Sequence, residues 1–315
     1  MSINNECRAY LQKHISKTMR HFYANLHQNE LDPQSREMKI GVLYLMMMYL
    51  GVEAMTPFID AITEVMIVRV NDMVPTIQTM VAEICRIVGH VAKGSVLLPR
   101  LSERIKEELN TPSHKDTLLC QLQVLAHMTS TIGTVDETTL ANLLRDLQQV
   151  VYSDQSNNRC LVEIVQVLSH LANKFPDQLQ SSQCDKPMAR LLILLNVSLP
   201  DKKQMIDDIS AKLCDNCSNA NLQQYIGGGG GSRVAMLLSD IAKRHTSHVL
   251  THQSYFNTID YIIRTQSLET VDIVILQQLS AIYSKAAEKD DSIQRVVDKL
   301  KTAIGVASTS SKVVS

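Results

Sequence analysis

Tryptophan is absent from the 315-residue chain, phenylalanine occurs four times, and aromatic residues together make up 4%. Sheets draw heavily on aromatic and β-branched side chains, so this scarcity argues against a strand-based core. Glycine is sparse as well: of 11 glycines, five stand in the single run Gly227–Gly231. An excess of either charge is also missing, with 31 Lys and Arg against 32 Asp and Glu and a formal net charge of −1. No region forms a basic block, which removes the usual electrostatic attraction for nucleic acid or an anionic membrane. The opening residues "MSINNECRAY" lack the apolar stretch of a secretory signal. The uncharged apolar run Ile40–Val52 has 13 residues, short of the roughly 17 to 25 that span a bilayer.

Cysteine framework spacings are absent too. The seven cysteines, an odd number, are scattered at 7, 85, 120, 160, 184, 214 and 217. Scattered thiols without a signal segment predict a reduced, intracellular protein, cytoplasmic or nuclear. The sequons at Asn196 and Asn216 are then expected to carry no glycan. Catalytic signatures are missing as well: there is no Gly-x-Ser-x-Gly elbow, His-Glu-x-x-His pair, kinase set or Walker lysine. The carboxylate pairs Asp207-Asp208 and Asp290-Asp291 are sequence neighbours, so on a helix they diverge by about 100° and cannot share a substrate. The expectation is a non-enzymatic protein with no cofactor.

Apolar residues make up 45% of the chain, and Leu, Ile, Val and 14 Met must fill the core. Their spacing is helical from end to end. Leu140, Leu143, Leu144, Leu147, Val150 and Val151 follow the i, i+3, i+4, i+7 rule of one helix face, as do Leu161, Ile164, Val165, Leu168 and Leu171. Similar faces are Ile77/Met80/Val81/Ile84/Val88, Leu118/Leu119/Leu122/Leu125 and Ile293/Val296/Val297/Leu300/Ile304. No stretch alternates with period two, so the predicted fold class is all-α.

Helix starts are predicted at Asp32-Pro33, Thr56-Pro57 and Thr111-Pro112, each a capping side chain before a proline that has no amide to satisfy. Thr134 with Glu137 reads as a capping box. Gly51, Gly94 and Gly133 are expected to end helices in left-handed conformation. The segments 40–52 and 188–199 are apolar on every side, which predicts helices sandwiched inside the protein. The alternative is that one face meets a partner peptide, since methionine adapts to varied ligands.

Alternate helix starts fall near 33, 75, 112, 156 and 200. A helix pair recurring about every 40 residues cannot bury its own apolar face and must stack on the next. In this period and pattern the chain resembles an armadillo/HEAT-type α-solenoid. Pro57 and Asp72 stand roughly where HEAT repeats carry proline and aspartate, whereas later pairs depart from that pattern. The resemblance implies one helical-repeat domain over 1–304, a flexible tail over 305–315, and a concave surface lined by second helices that binds partner proteins as peptide or helical segments.

The glycine run with Ser232 lies between two helical patterns, "SNANLQQYI" and "SRVAMLLSDIAKRH". It reads as an engineered Gly/Ser linker at 227–232 in place of a longer native loop, not as a phosphate-binding loop, because no strand precedes it and no Gly-Lys-Ser/Thr follows. The one metal-like grouping is Cys214 and Cys217 followed by His245, His248 and His252. Its halves flank that linker, and a lone Cys-x-x-Cys lacks matched spacing, so no metal is assigned. Lys13, Lys17 and Arg20 form a cationic stripe on the first helix opposite Leu11, Ile15, Phe22 and Leu26, and Arg100 and Arg104 form a second group mixed with Glu103, Glu107 and Glu108. The first is expected to be a solvated face and the second ordinary i, i+4 pairing. These five cations are the candidate partner-binding rim. The apolar helix 40–52 offers a surface for a homodimer or heteromer, and nucleic acid along the cationic stripe is the competing partner class.

Overall fold

The computed structural model describes residues 32–50, 52–111, 116–153, 155–215 and 270–287, with shorter stretches between 6 and 20 and between 294 and 305. Among the described residues the chain forms helices joined by turns, and no strand. In order these are α1 (Pro33–Leu50), α2 (Val52–Met55), a 3-10 turn (Thr56–Phe58), α3 (Ile59–Arg69), α4 (Pro75–Val91), α5 (Gly94–Asn110), α6 (Thr117–Thr129) and α7 (Glu137–Tyr152). There follow α8 (Asn158–Lys174), α9 (Pro176–Leu179), α10 (Asp185–Ser198), a second 3-10 turn (Pro200–Lys202), α11 (Lys203–Asp215) and α12 (Thr270–Ala287). The glycine linker at 227–232 and the tail from 306 lie outside the described residues.

The helix starts show which local signals acted. At Asp32 the carboxylate accepts from the Ser35 amide (3.0 Å) and hydroxyl (2.5 Å), so Pro33 opens α1 as expected. Thr56-Pro57 instead opens only the 3-10 turn, with no side-chain cap. α7 is capped by Asp136, whose carboxylate accepts from the Thr139 amide (2.8 Å) and hydroxyl (2.7 Å), not by Thr134. An aspartate one residue before the helix reaches the free amides that Thr134 stands too far back to meet. Pro112 and Gly51 lie outside the described residues.

Gly94 and Gly133 are not left-handed terminators, since neither takes a positive φ. Gly94 is the first residue of α5, and a Cβ there would lie 2.4 Å from Val135 Cγ2 and 2.6 Å from the Thr134 oxygen. Gly89 in α4 is tighter still, its added Cβ falling 2.1 Å from the Met128 carbonyl oxygen. Glycine at both places serves the close approach of two backbones.

The described chain divides into two compact units, the first comprising 1–143 with 166–175 and the second 144–165 with 176–315. In the first, α1 packs on α4 and α4 on α6, so the opening helices of successive pairs touch in order, while α3 packs on α4 and α6 and α5 on α6. Ile77, Val81, Ile84 and Val88 of α4 are fully buried, as are Leu122 and Leu125 of α6. In the second unit α10 packs on α11, with Met188, Leu191, Leu194 and Leu195 fully buried, so the apolar segment 188–199 does supply core. Gln148 donates to the Pro187 carbonyl (2.6 Å) and Gln180 to the Leu213 carbonyl (2.9 Å), tying helix ends of that unit together.

Candidate protein-docking face

Helix α1 is anchored on one side by apolar packing and by charge. Ile40, Leu43, Met46, Met47 and Leu50 are buried on its inner side. Near its start the Arg36 guanidinium grips Asp72 through two bonds, Nε to Oδ2 at 3.0 Å and Nη2 to Oδ1 at 2.9 Å. Arg69 Nη1 lies 3.5 Å from the same carboxylate, and the Val74 amide donates to it at 3.1 Å. Thr76 donates to Glu37 at 2.6 Å, a second tie from α4 to α1.

The Asp72 side chain is 2% exposed. Burial by itself would push its carboxyl up, but the Arg36 bonds, the Val74 amide and the charges of Arg36 and Arg69 outweigh it, and the carboxyl sits below its ordinary range. Two cations around one carboxylate leave Arg69 under strain: burial pulls it below its usual value, and Arg36 repels it as Asp72 attracts it. This cluster fixes the start of α1 against the turn that joins α3 to α4.

The opposite side of α1 is apolar and open. Met38 is 65% exposed, Val42 37%, Leu45 51%, and Met48 and Tyr49 each 58%. Met38, Val42, Leu45 and Tyr49 are spaced four, three and four apart, which keeps them in one line along a helix. The expectation that 40–52 is sandwiched on every side is therefore corrected: α1 carries two apolar stripes and buries one of them. Apolar side chains are usually scattered singly over a soluble surface, so this row of five is the candidate docking face. Met38 escaped the sequence reading because it precedes the unbroken apolar run, and its signal was the second stripe at heptad spacing.

The predicted cations fall on other elements. Lys13, Lys17 and Arg20 are exposed on helical residues whose opposite side buries Ile15 and Met19. Arg20 Nε donates back to the Ser16 carbonyl at 3.3 Å. Leu11, Phe22 and Leu26 lie outside the described residues. Arg100 and Arg104 on α5 reach across to α3, Arg100 to Asp60 (2.6 Å) and Arg104 to Glu64. Both are thus engaged between helices, not with the neighbouring glutamates of α5 as their spacing suggested.

A polar group sits where α6 ends. His170 Nδ1 lies 3.0 Å from the Ala126 carbonyl, which can only accept, so Nδ1 carries the proton. Lys174 Nζ donates to the Ile132 carbonyl (3.1 Å) and Thr131 Oγ1 to the Arg86 carbonyl (2.6 Å). The Ala126 carbonyl also accepts from the Ser130 amide (3.2 Å), so the side chains add bonds that tie neighbouring elements together near the end of α6. Burial, then the charges of Arg86 and His170, hold His127 below its usual value, while Glu83 opposes them; burial, Lys174 and Arg86 do the same for His170 against its bond to Ala126.

Among the described residues no cluster of three His, Cys, Asp or Glu is placed to hold a metal ion, and no helix is long and apolar enough to cross a membrane. The side chains of Cys214, Cys217, His245, His248 and His252 lie outside the described residues. Fold and surface define a class: an all-helical protein that presents an apolar helix face. No protein-family model matches the chain, and no curated protein matches it in sequence.

Proposed function

We propose that this chain is a non-enzymatic protein-interaction module of armadillo/HEAT-like construction, docking an apolar helical segment of a protein partner on the outer face of α1. The row Met38, Val42, Leu45, Met48 and Tyr49 carries the reading. Each apolar side chain left in water forgoes the roughly 1.5 to 3 kcal/mol that full burial supplies, and a partner restores it. The repeat construction is supported by helix starts at Pro33, Pro75, Thr117 and Asn158, about 42 residues apart, and by the order in which α1, α4 and α6 touch. Polar ties recur at nearly the same offset: Thr76 to Glu37, Arg100 to Asp60, Thr131 to Arg86 and Lys174 to Ile132 span 39, 40, 45 and 42 residues.

The docking row lies on the first helix of its pair, whereas solenoid resemblance pointed to second helices. The test is selection of a helical peptide library on the intact chain, followed by binding of the selected peptides to Leu45→Arg. Peptides that lose at least about tenfold in affinity support docking on α1. Selected peptides that bind both proteins alike place the site elsewhere and overturn it.

A further inference from the structure

The outer row of α1 has the geometry of a coiled-coil seam, and we infer that its occupant is a second copy of this chain, paired antiparallel through α1. The inference rests on the docking reading and names the partner.

Spacing comes first. Residues 38, 42, 45 and 49 repeat every 3.5 positions on average, the repeat that keeps a seam facing another helix. A single ridge offers no groove for an extended segment, so its complement is another ridge of the same period. In an antiparallel pair the layers alternate, which sets Val42 against Leu45 of the mate and Met38 against its Tyr49. Each pairing occurs twice about the two-fold axis, and all four side chains find apolar partners. Such an isologous patch closes on itself and leaves no open end.

Charge comes second. Between Ile40 and Val52 there is no Asp, Glu, Lys, Arg or His, so like charges do not meet when the face meets itself. With a formal net charge of −1 per chain, two copies do not repel at long range either.

Area comes third, and it sets the strength. Exposures of 37% to 65% at five side chains put the row within the roughly 300 to 600 Å² of a typical monomer's largest patch, so complete pairing removes at most about 1,000 Å² in total, the lower limit for a specific interface. An interface at that limit belongs with weak, transient assemblies, so the pairing is expected to depend on concentration. The inner packing of α1 and the Arg36–Asp72 grip hold the ridge in place beforehand, so little ordering opposes association.

Sedimentation of the intact chain over about 1 to 100 µM covers the range in which so small an interface dissociates. The weight-average mass is expected to rise from 35.2 kDa toward twice that value. Val42→Arg and Leu45→Glu variants should each stay monomeric with unchanged helical signal. Leu45 is half exposed and its variant should melt as the wild type does, whereas the change at Val42, 37% exposed, is expected to cost a small drop in melting that leaves the fold intact. Mixed together they should associate again, since the new cation and the new carboxylate face each other in the antiparallel layers. A wild type that stays monomeric throughout overturns self-pairing, as do single variants that still dimerise or a mixture that remains monomeric. If the wild type is monomeric while selected peptides still lose affinity for Leu45→Arg, docking on α1 stands and only the second copy falls. Peptide binding and mass both indifferent to Leu45→Arg overturn the two together.

Discussion

Replacing Asp72 by alanine leaves the Arg36 and Arg69 guanidinium groups around a space their carboxylate used to fill. Two bonds from Arg36, one from the Val74 amide and the nearby Arg69 all vanish at a side chain 2% exposed to water. Removing one partner of a buried ion cluster costs about 3 to 5 kcal/mol, because the remaining charges stay desolvated. The comparison is Asp60→Ala, which breaks the Arg100 pair: both of its side chains are at least half exposed, and such pairs are worth about 0 to 1 kcal/mol. At a urea dependence of about 2 to 3 kcal/mol per molar, Asp72→Ala should lower the unfolding midpoint by about 1 to 2.5 M and Asp60→Ala by less than about 0.5 M. The pH dependence adds a second readout. The folded carboxyl lies below the unfolded value of about 3.9, so its stabilisation is complete above that pH and is lost as pH falls through the folded value. The gap between wild type and Asp72→Ala should therefore narrow steadily as pH is lowered from about 5 toward 2. Midpoints that fall equally in the two variants, or a gap that stays constant down to low pH, would refute the assignment of this cluster as the anchor of α1.

Gly89→Ala forces a Cβ to within 2.1 Å of the Met128 carbonyl, backbone that cannot rotate away, and should destabilise by about 1 to 3 kcal/mol. Gly133→Ala meets nothing within 4 Å and should be neutral or gain up to about 1 kcal/mol, read in the same urea titration. His127 and His170 are held below the unfolded value of about 6.5, so the folded state resists their protonation and stability should decline as pH falls from about 6.5. The double variant His127→Gln/His170→Gln should show a shallower loss between about pH 7 and 5, and an unchanged slope would assign that loss to other groups. Reversing Lys13, Lys17 and Arg20 to glutamate should shift stability by less than about 0.5 kcal/mol per site and leave peptide capture intact, because these side chains stand on exposed helical surface. Loss of capture in that variant would move the docking site to the first helix.

Periodic core faces were legible because burial in a helix repeats at a spacing the sequence displays directly. Ile77, Val81, Ile84 and Val88 illustrate it, as do the Leu140 and Leu161 faces, all of them buried. Capping was legible where the acceptor adjoins the helix, as at Asp32, and misread at Thr134 because a rival acceptor, Asp136, lay nearer. The roles of Gly89 and Gly94 depend on distances to residues about 40 positions away, which no local pattern encodes. For the same reason the α5 arginines looked suited to neighbouring glutamates, yet pair with carboxylates of α3, 40 positions earlier. The apolar helix 40–52 was visible as a helix, while its division into an inner and an outer stripe was not.

Composition and periodicity by themselves determined that the chain builds helices, where some of them begin, such as Pro33 and Pro75, and which faces carry the bulk of the core, because those properties depend on a residue's near neighbours along the chain. Tertiary packing decided which of two equally apolar stripes on α1 is buried and which faces water. Hydrophobicity makes both stripes candidates for burial, and the packing of α4 on α1, with Asp72 holding Arg36, accompanies burial of the Ile40, Leu43 and Met47 side.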